Sequence, residues 1–138
     1  MGTPLVVSTH INAEPTEVFP QWLSADALRR WWWPEIPDTT YTVDGREGGE
    51  YSIVSEERGM GIEGRFRSVD EPRRLELTWT WIDHGVPGEE EPVVVEFDGN
   101  DGGTAVTVTH DVANADNVDS YRQGWDYVLG NLAYRYAG

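Results

Sequence analysis

The segment that decides the fold is Asp116-Asn117-Val118-Asp119-Ser120-Tyr121-Arg122-Gln123-Gly124-Trp125-Asp126-Tyr127-Val128-Leu129-Gly130-Asn131-Leu132-Ala133-Tyr134-Arg135-Tyr136. Within it Val118, Tyr121, Trp125, Val128, Leu129, Leu132 and Tyr136 recur every three or four positions. A helix gathers residues so spaced into one apolar stripe. Asp116 or Asn117 stands where an N-cap is wanted, and Arg135 in the last turn complements the negative end of the helix dipole. About 20 residues at about 1.5 Å each give a helix of roughly 30 Å, enough to cross a sheet. Such a stripe needs an apolar surface to lie on, and the preceding residues predict one.

Val93–Phe97 and Thr104–His110 flank Asp98-Gly99-Asn100-Asp101-Gly102-Gly103, the clearest hairpin signal in the chain. Upstream, Leu75–Trp81 alternates so that Leu75, Leu77, Trp79 and Trp81 share one face, with Glu76, Thr78 and Thr80 opposite. Val93, Val95 and Phe97 share a face, as do Val106, Val108 and His110. Gly61–Val69 joins Leu75 across the polar turn from Asp70 to Arg74, and Tyr41–Asp44 pairs with Glu50–Ser55 around a Gly-rich turn. Between the hairpins, His84–Pro92 has no alternation, carries Pro, Gly and acidic residues, and is expected to be a loop. An apolar and a polar side on each strand describe an antiparallel sheet with one face solvated, and the C-terminal helix covers the other.

Leu5–Ile11 reads as a first strand. Pro15 suits the start of a short helix running to Leu23 that Pro20 bends. Ser24 is a natural cap for a second helix, Ala25–Trp32, which Pro34 and Pro37 stop. Nothing along the chain resembles a linker or repeat, so residues 1–138 are expected to form a single α+β domain.

With no Cys, disulfide and thiolate chemistry are excluded. The formal net charge of −15 comes from 25 acidic against 10 basic residues, and every basic residue is Arg. That field disfavours nucleic acid and anionic membranes, whose binding depends on neutralising phosphates. Its source is either solubility with codon bias or adaptation to high salt. No run approaches the roughly 18 apolar residues of a membrane span, and the first residues lack a signal-peptide pattern. A cytoplasmic location and no membrane insertion are the expectations.

Four sequence words carry a resemblance: Trp31-Trp32-Trp33-Pro34, Asp44-Gly45-Arg46-Glu47-Gly48-Gly49, Pro72-Arg73-Arg74-Leu75 ending in Thr78-Trp79, and Gly124-Trp125 followed by Leu129 and Leu132. In that order, over about Val6 to Tyr136, the chain resembles the activator-of-heat-shock-protein-90-ATPase homologue branch of the START-like (SRPBCC) helix-grip superfamily. The resemblance implies a curved antiparallel sheet of six to seven strands wrapped around a long C-terminal helix, with two short helices after the first strand and a cavity between sheet and helix. It also implies apolar ligands, since related members bind lipids or polyketides. Fold alone does not settle function.

Seven Trp and six Tyr are many for 138 residues, and large aromatics with polar tips suit the walls of an apolar cavity. The assigned faces converge Trp32, Phe66, Trp79, Trp81, Val95, Val108, Tyr121, Trp125 and Leu129 under the helix as candidate ligand-binding residues. The same residues would equally serve as plain core. His110 ends an apolar strand face; it is either a satisfied core residue or, since imidazole titrates near neutrality, a polar anchor or acid–base group. Asp111 points the other way and forms no dyad with it. Glu50 and Arg65 default to solvent. His10, His84 and His110 lack a paired spacing for a metal, and Glu89-Glu90-Glu91 reads as a solvated charge run, so no metal and no cofactor are expected.

The leading expectation is a binding domain for an apolar or aromatic molecule that enters near Trp32 and the 84–92 loop. The resemblance also admits a polyketide cyclase or aromatase using His110, which requires a second titratable group within hydrogen-bond reach of that ring. A chaperone-ATPase-modulating interaction domain is a third reading, with a chaperone partner disfavoured because the additional chaperone-binding domain of the eukaryotic activators is not in this chain. A homodimer is compatible with all three.

Overall fold

A computed structural model describes residues 2–137 of the chain, so residues 1 and 138 of the expected domain lie outside the described residues. The order is β1 (Thr3–Ile11), α1 (Pro15–Val18), a 3-10 turn (Phe19–Trp22), α2 (Ala25–Trp31), β2 (Thr39–Val43), β3 (Glu50–Ser55), β4 (Met60–Asp70), β5 (Arg74–Asp83), β6 (Val86–Asn100), β7 (Gly103–Val112), a second 3-10 turn (Ala115–Asn117) and α3 (Val118–Tyr134). The strands form one seven-stranded antiparallel sheet in the order β1-β7-β6-β5-β4-β3-β2. From β2 to β7 it is a plain meander, and β1 closes beside β7. The link from β1 to β2 therefore spans the whole sheet, and it carries the two short helices across. The curved sheet wraps around α3, which is the helix-grip architecture expected.

Local chemistry accounts for most boundaries. Pro15 opens α1, and Pro20 sits at the start of the 3-10 turn, where its missing N–H costs nothing. The Ser24 side chain accepts the Ala27 N–H at 3.1 Å and caps α2. At the C-terminal helix the expected start needs correction. Asn114, rather than Asp116 or Asn117, accepts with its side chain, from the Asp116 N–H, and the first turn is 3-10. The α-helix proper runs Val118–Tyr134, shorter at both ends than Asp116–Tyr136, and Arg135 is its C-terminal cap residue.

The largest correction concerns residues 84–92, which are a two-residue turn followed by strand from Val86 rather than a loop. His84 and Gly85 both take positive φ, 50° and 82°, and make a two-residue turn from β5 into β6. Asp101 and Gly102 do the same between β6 and β7, at 46° and 82°. Two successive left-handed residues are the turn that matches the twist of a hairpin. Asp-Gly advertises it, whereas His-Gly does not, although His tolerates that region better than most residues. β6 consequently runs fifteen residues, through Pro87, Gly88 and Pro92, against the expected five.

The sheet buries the alternating residues assigned to its inner face, among them Leu75, Leu77, Trp79, Val93, Val95, Phe97, Val106 and Val108. Register shifts between Phe66 and Ser68 and between Thr80 and Ile82 interrupt the ladders, and such bulges bend a strand and re-aim its side chains. Across the bent region the Tyr51 hydroxyl donates to the Thr78 carbonyl at 2.6 Å. That bond passes over Gly64, where a Cβ would sit 2.0 Å from the same oxygen. On the outer face Arg65 pairs with Glu50 at 3.1 Å in the open, as their solvated assignment anticipated.

Candidate functional site

Between the inner face of the sheet and the first half of α3 lies a cavity of about 370 Å³. Five of the ten expected ligand-binding residues form its walls: Trp32, Trp79, Trp81, Tyr121 and Trp125. Phe66 lines a second hollow of about 30 Å³ that shares Trp32, Trp79 and Trp125 with the first. Val95, Val108, His110 and Leu129 line neither; they are fully buried core. The walls missed by face assignment are Trp33, Met60, Ile62, Asn117, Ser120, Gly124 and Val128. Gly124 and Val128 sit one turn from Tyr121 and Trp125, and Ser120 one turn from Gly124, so helical spacing alone could have found them.

The aromatic walls meet edge to face or tilted: Trp32 and Trp125 at 5.5 Å, Trp79 and Trp125 at 5.2 Å, Trp33 and Trp81 at 6.3 Å. Such arrangements are favoured by the ring quadrupoles and hold the walls in place. None of the lining residues is charged. Gly124 faces the cavity from mid-helix, and a Cβ built there meets nothing within 4 Å. The polar lining side chains Asn117 and Ser120 stand at the exposed start of α3 and mark the mouth. No residue between 84 and 92 contributes to the walls, whereas Trp32, the other residue expected beside the entrance, does.

Behind the wall runs a hydrogen-bonded chain. The Trp125 indole N–H donates to His110 Nδ1 at 3.1 Å, and His110 Nε2 lies 2.8 Å from Glu91 Oε1. The second Glu91 oxygen accepts the Ala113 N–H at 2.7 Å. An indole nitrogen only donates, so Nδ1 must accept, and the single proton of a neutral imidazole then sits on Nε2 and goes to Glu91. Burial pushes the His110 pKa below its ordinary value, with Glu91 opposing, which agrees with a neutral ring. Tyr121 stacks on that ring at 5.0 Å and 15° between planes.

Glu91 corrects the reading of Glu89-Glu90-Glu91 as a solvated run. It is only 5% exposed, while Glu89 and Glu90 face solvent. In the register Glu91 lies opposite Trp79 and His110 opposite Val93. Counting back in twos from Phe97 through Val95 and Val93 reaches Glu91 on the inner face. Pro92 hid that signal, because Pro within a run demotes a strand assignment.

Three buried indole N–H groups, on Trp22, Trp32 and Trp79, have no hydrogen-bond partner among the described residues. Burial raises the Tyr121 pKa, Glu91 adds to the rise, and the nearby Trp79 N–H opposes it. A larger hollow of about 460 Å³ occupies the outer face of the sheet, lined by Glu50, Glu63, Arg65, Arg67 and Glu90 among others. Its charged walls lie in solvent, and it shares no residue with the inner cavity.

The profile of the family described as Activator of Hsp90 ATPase homolog 1-like protein matches residues 12–136. No curated protein matches the chain. Among solved structures, a Rhizobium leguminosarum protein superposes with a TM-score of 0.83 at 21% identity, over 97% of this chain and 93% of that one. CalU16 from Micromonospora echinospora gives 0.76 at 19%, over 97% and 76%. DynU16, from the dynemicin biosynthetic locus, gives 0.78 at 18%, over 95% of this chain, which spans 46% of the length of DynU16. At such identities these likenesses establish the fold.

Proposed function

The chain belongs to the Activator of Hsp90 ATPase homolog 1-like family, within the START-like superfamily, and on that premise we propose that it binds an apolar or aromatic small molecule between sheet and α3. The observation that carries this reading is the 370 Å³ cavity with an uncharged lining, half of it aromatic, a size and character usual for small-molecule sites. Gly124 supports it. Gly in a helix interior costs roughly 0.5–1 kcal/mol relative to Ala, and no close contact requires it here. What its missing side chain provides is room in the cavity.

The test is steric. The neutral fluorophore 1-aminoanthracene should bind the wild type with a blue-shifted emission, and Gly124→Phe should weaken that binding at least tenfold without lowering the melting temperature. Equal affinity for both proteins would place the dye elsewhere and remove the reading.

Glu91 supplies the second titratable group that an acid–base role for His110 demands. Both ring nitrogens are nevertheless committed, and His110 is fully buried behind Trp125 and Tyr121. A catalytic base must reach the proton it takes, and this one does not. His110 and Glu91 are positioning residues that fix two walls of the cavity.

A further inference from the structure

Three walls of the cavity share one backing, the His110 ring. Trp125 donates its indole N–H to Nδ1 at 3.1 Å, Tyr121 stacks on the ring at 5.0 Å, and Trp79 meets it edge to face at 5.0 Å. The ring is fully buried and lines neither hollow of the inner side. In the lining itself Tyr121 alone is titratable, and burial moves it further above neutrality. The group beside the cavity that changes charge near neutral pH therefore stands behind the wall.

Few groups face that ring. From β6 the Glu91 carboxylate reaches Nε2 at 2.8 Å. From α3 come Tyr121 and the Trp125 N–H, from β5 the uncharged Trp79, and from β1 the apolar Leu5, opposite His110 in the register. Asp111, next along β7, adds a negative field. In the neutral ring Nδ1 accepts from the indole. A proton added there makes Nδ1 a donor, and two N–H groups then face each other with no acceptor between them. Trp125 is 2% exposed, so its N–H cannot turn to water while the indole keeps its place. The room open to that indole is the 370 Å³ cavity and the 30 Å³ hollow, both of which it borders.

We propose that His110 couples the cavity to pH: the neutral ring holds Trp125 as a wall, and protonation of Nδ1 drives the indole into the ligand's space and releases the ligand. This rests on the reading of the cavity as a ligand site and adds its regulation. Burial, opposed by Glu91 and Asp111, holds the ring's pKa below its ordinary value of about 6.5. Affinity is thus complete above that value and declines as pH falls through the folded-state pKa. Linkage makes the coupling reciprocal, so bound ligand must disfavour the protonated ring by the same factor.

The full-length protein and 1-aminoanthracene, whose aromatic amine stays neutral over the range, provide the test. Between about pH 7.5 and about pH 5 the dye should bind at least about threefold more weakly at the acid end. NMR of the His110 ring should show its titration displaced downward by at least about half a pH unit in the dye-saturated protein, with the exposed His10 and His84 as internal references. Trp125→Phe removes the indole donor, so its ratio of affinities at the two pH values should approach one. Equal wild-type affinity at both pH values, or a His110 titration indifferent to the dye, would overturn the proposal and leave the ligand cavity standing. So would a Trp125→Phe protein that keeps the whole pH ratio, or an affinity loss that circular dichroism shows to arrive only with unfolding. A dye that fails to bind the wild type at either pH, or binds Gly124→Phe equally well, would remove the cavity reading and the proposal together.

Discussion

The two halves of α3 carry the same apolar stripe and meet different surroundings. In the second half, Leu129 and Leu132 are fully buried, and the Asn131 side chain donates to the Trp31 carbonyl at 3.1 Å, tying α3 to α2. In the first half, Ser120, Tyr121 and Gly124 border open space. Three-to-four spacing says which face of a helix turns inward. Whether that face meets atoms or a void depends on side chains elsewhere, here the Trp residues of the α2–β2 link and β5. Packing and binding thus divide along a single helix.

The largest effect should come from attacking the packed half. Leu132→Ala removes a fully buried side chain and should cost about 2–5 kcal/mol by chemical denaturation, while affinity of the remaining folded protein for 1-aminoanthracene stays unchanged. A parallel loss of affinity would show that the two halves are not separable.

Next is the chain behind the cavity. Glu91 accepts two hydrogen bonds with its two oxygens. Glu91→Gln offers one oxygen and one donor, so no orientation of the amide and no imidazole tautomer can satisfy the Trp125 N–H, the His110 ring and the Ala113 N–H together. The loss should be about 1–3 kcal/mol, with a change in Trp fluorescence as Trp125 is released. An unchanged denaturation midpoint would refute the assigned proton positions.

The pH dependence follows from the same ring. Its folded-state pKa lies below the ordinary value of about 6.5, so between the two values the unfolded chain binds more protons. The stabilisation is complete above pH 6.5 and declines as pH falls through the folded-state pKa. NMR of the His110 ring at pH 6.5 should therefore find it mostly neutral, where an exposed imidazole is half protonated. Half protonation there would contradict the buried donor chain.

The smallest effect sharpens the comparison most. Gly124 and Gly130 are both helical with open space at the Cβ position, but only Gly124 borders the cavity. Gly124→Ala and Gly130→Ala should each stabilise by roughly 0.5–1 kcal/mol. Only the first should weaken ligand binding, measured as a dye affinity beside the melting temperature.

Much of this was legible before any coordinates. Alternation placed Leu75 through Trp79, Val93 through Phe97 and Val106 through His110 on the inner face, and Pro20 and Ser24 marked the short helices. Glu91 was not legible, because a His-Gly turn and three interruptions of the strand pattern, Pro87, Gly88 and Pro92, disguised β6 as a loop. Trp32, Trp79, Trp81, Tyr121 and Trp125 line the inner cavity, whereas Val95, Val108, His110 and Leu129, assigned to it from faces alone, are core. A face is a one-sided property of an element, while a wall requires emptiness opposite.

By itself, then, the sequence determined the periodicities, and with them the sheet, the covering helix and the inward sides of both. Those properties are local: they depend on residues a few positions apart along the chain. Only the tertiary structure decided that Glu91, His110 and Trp125, from β6, β7 and α3, form one hydrogen-bonded line. It also decided that the stripe of α3 is packed at one end and hollow at the other. Volume and hydrogen-bond satisfaction are settled between elements distant in sequence, where close packing either fills a gap or leaves it.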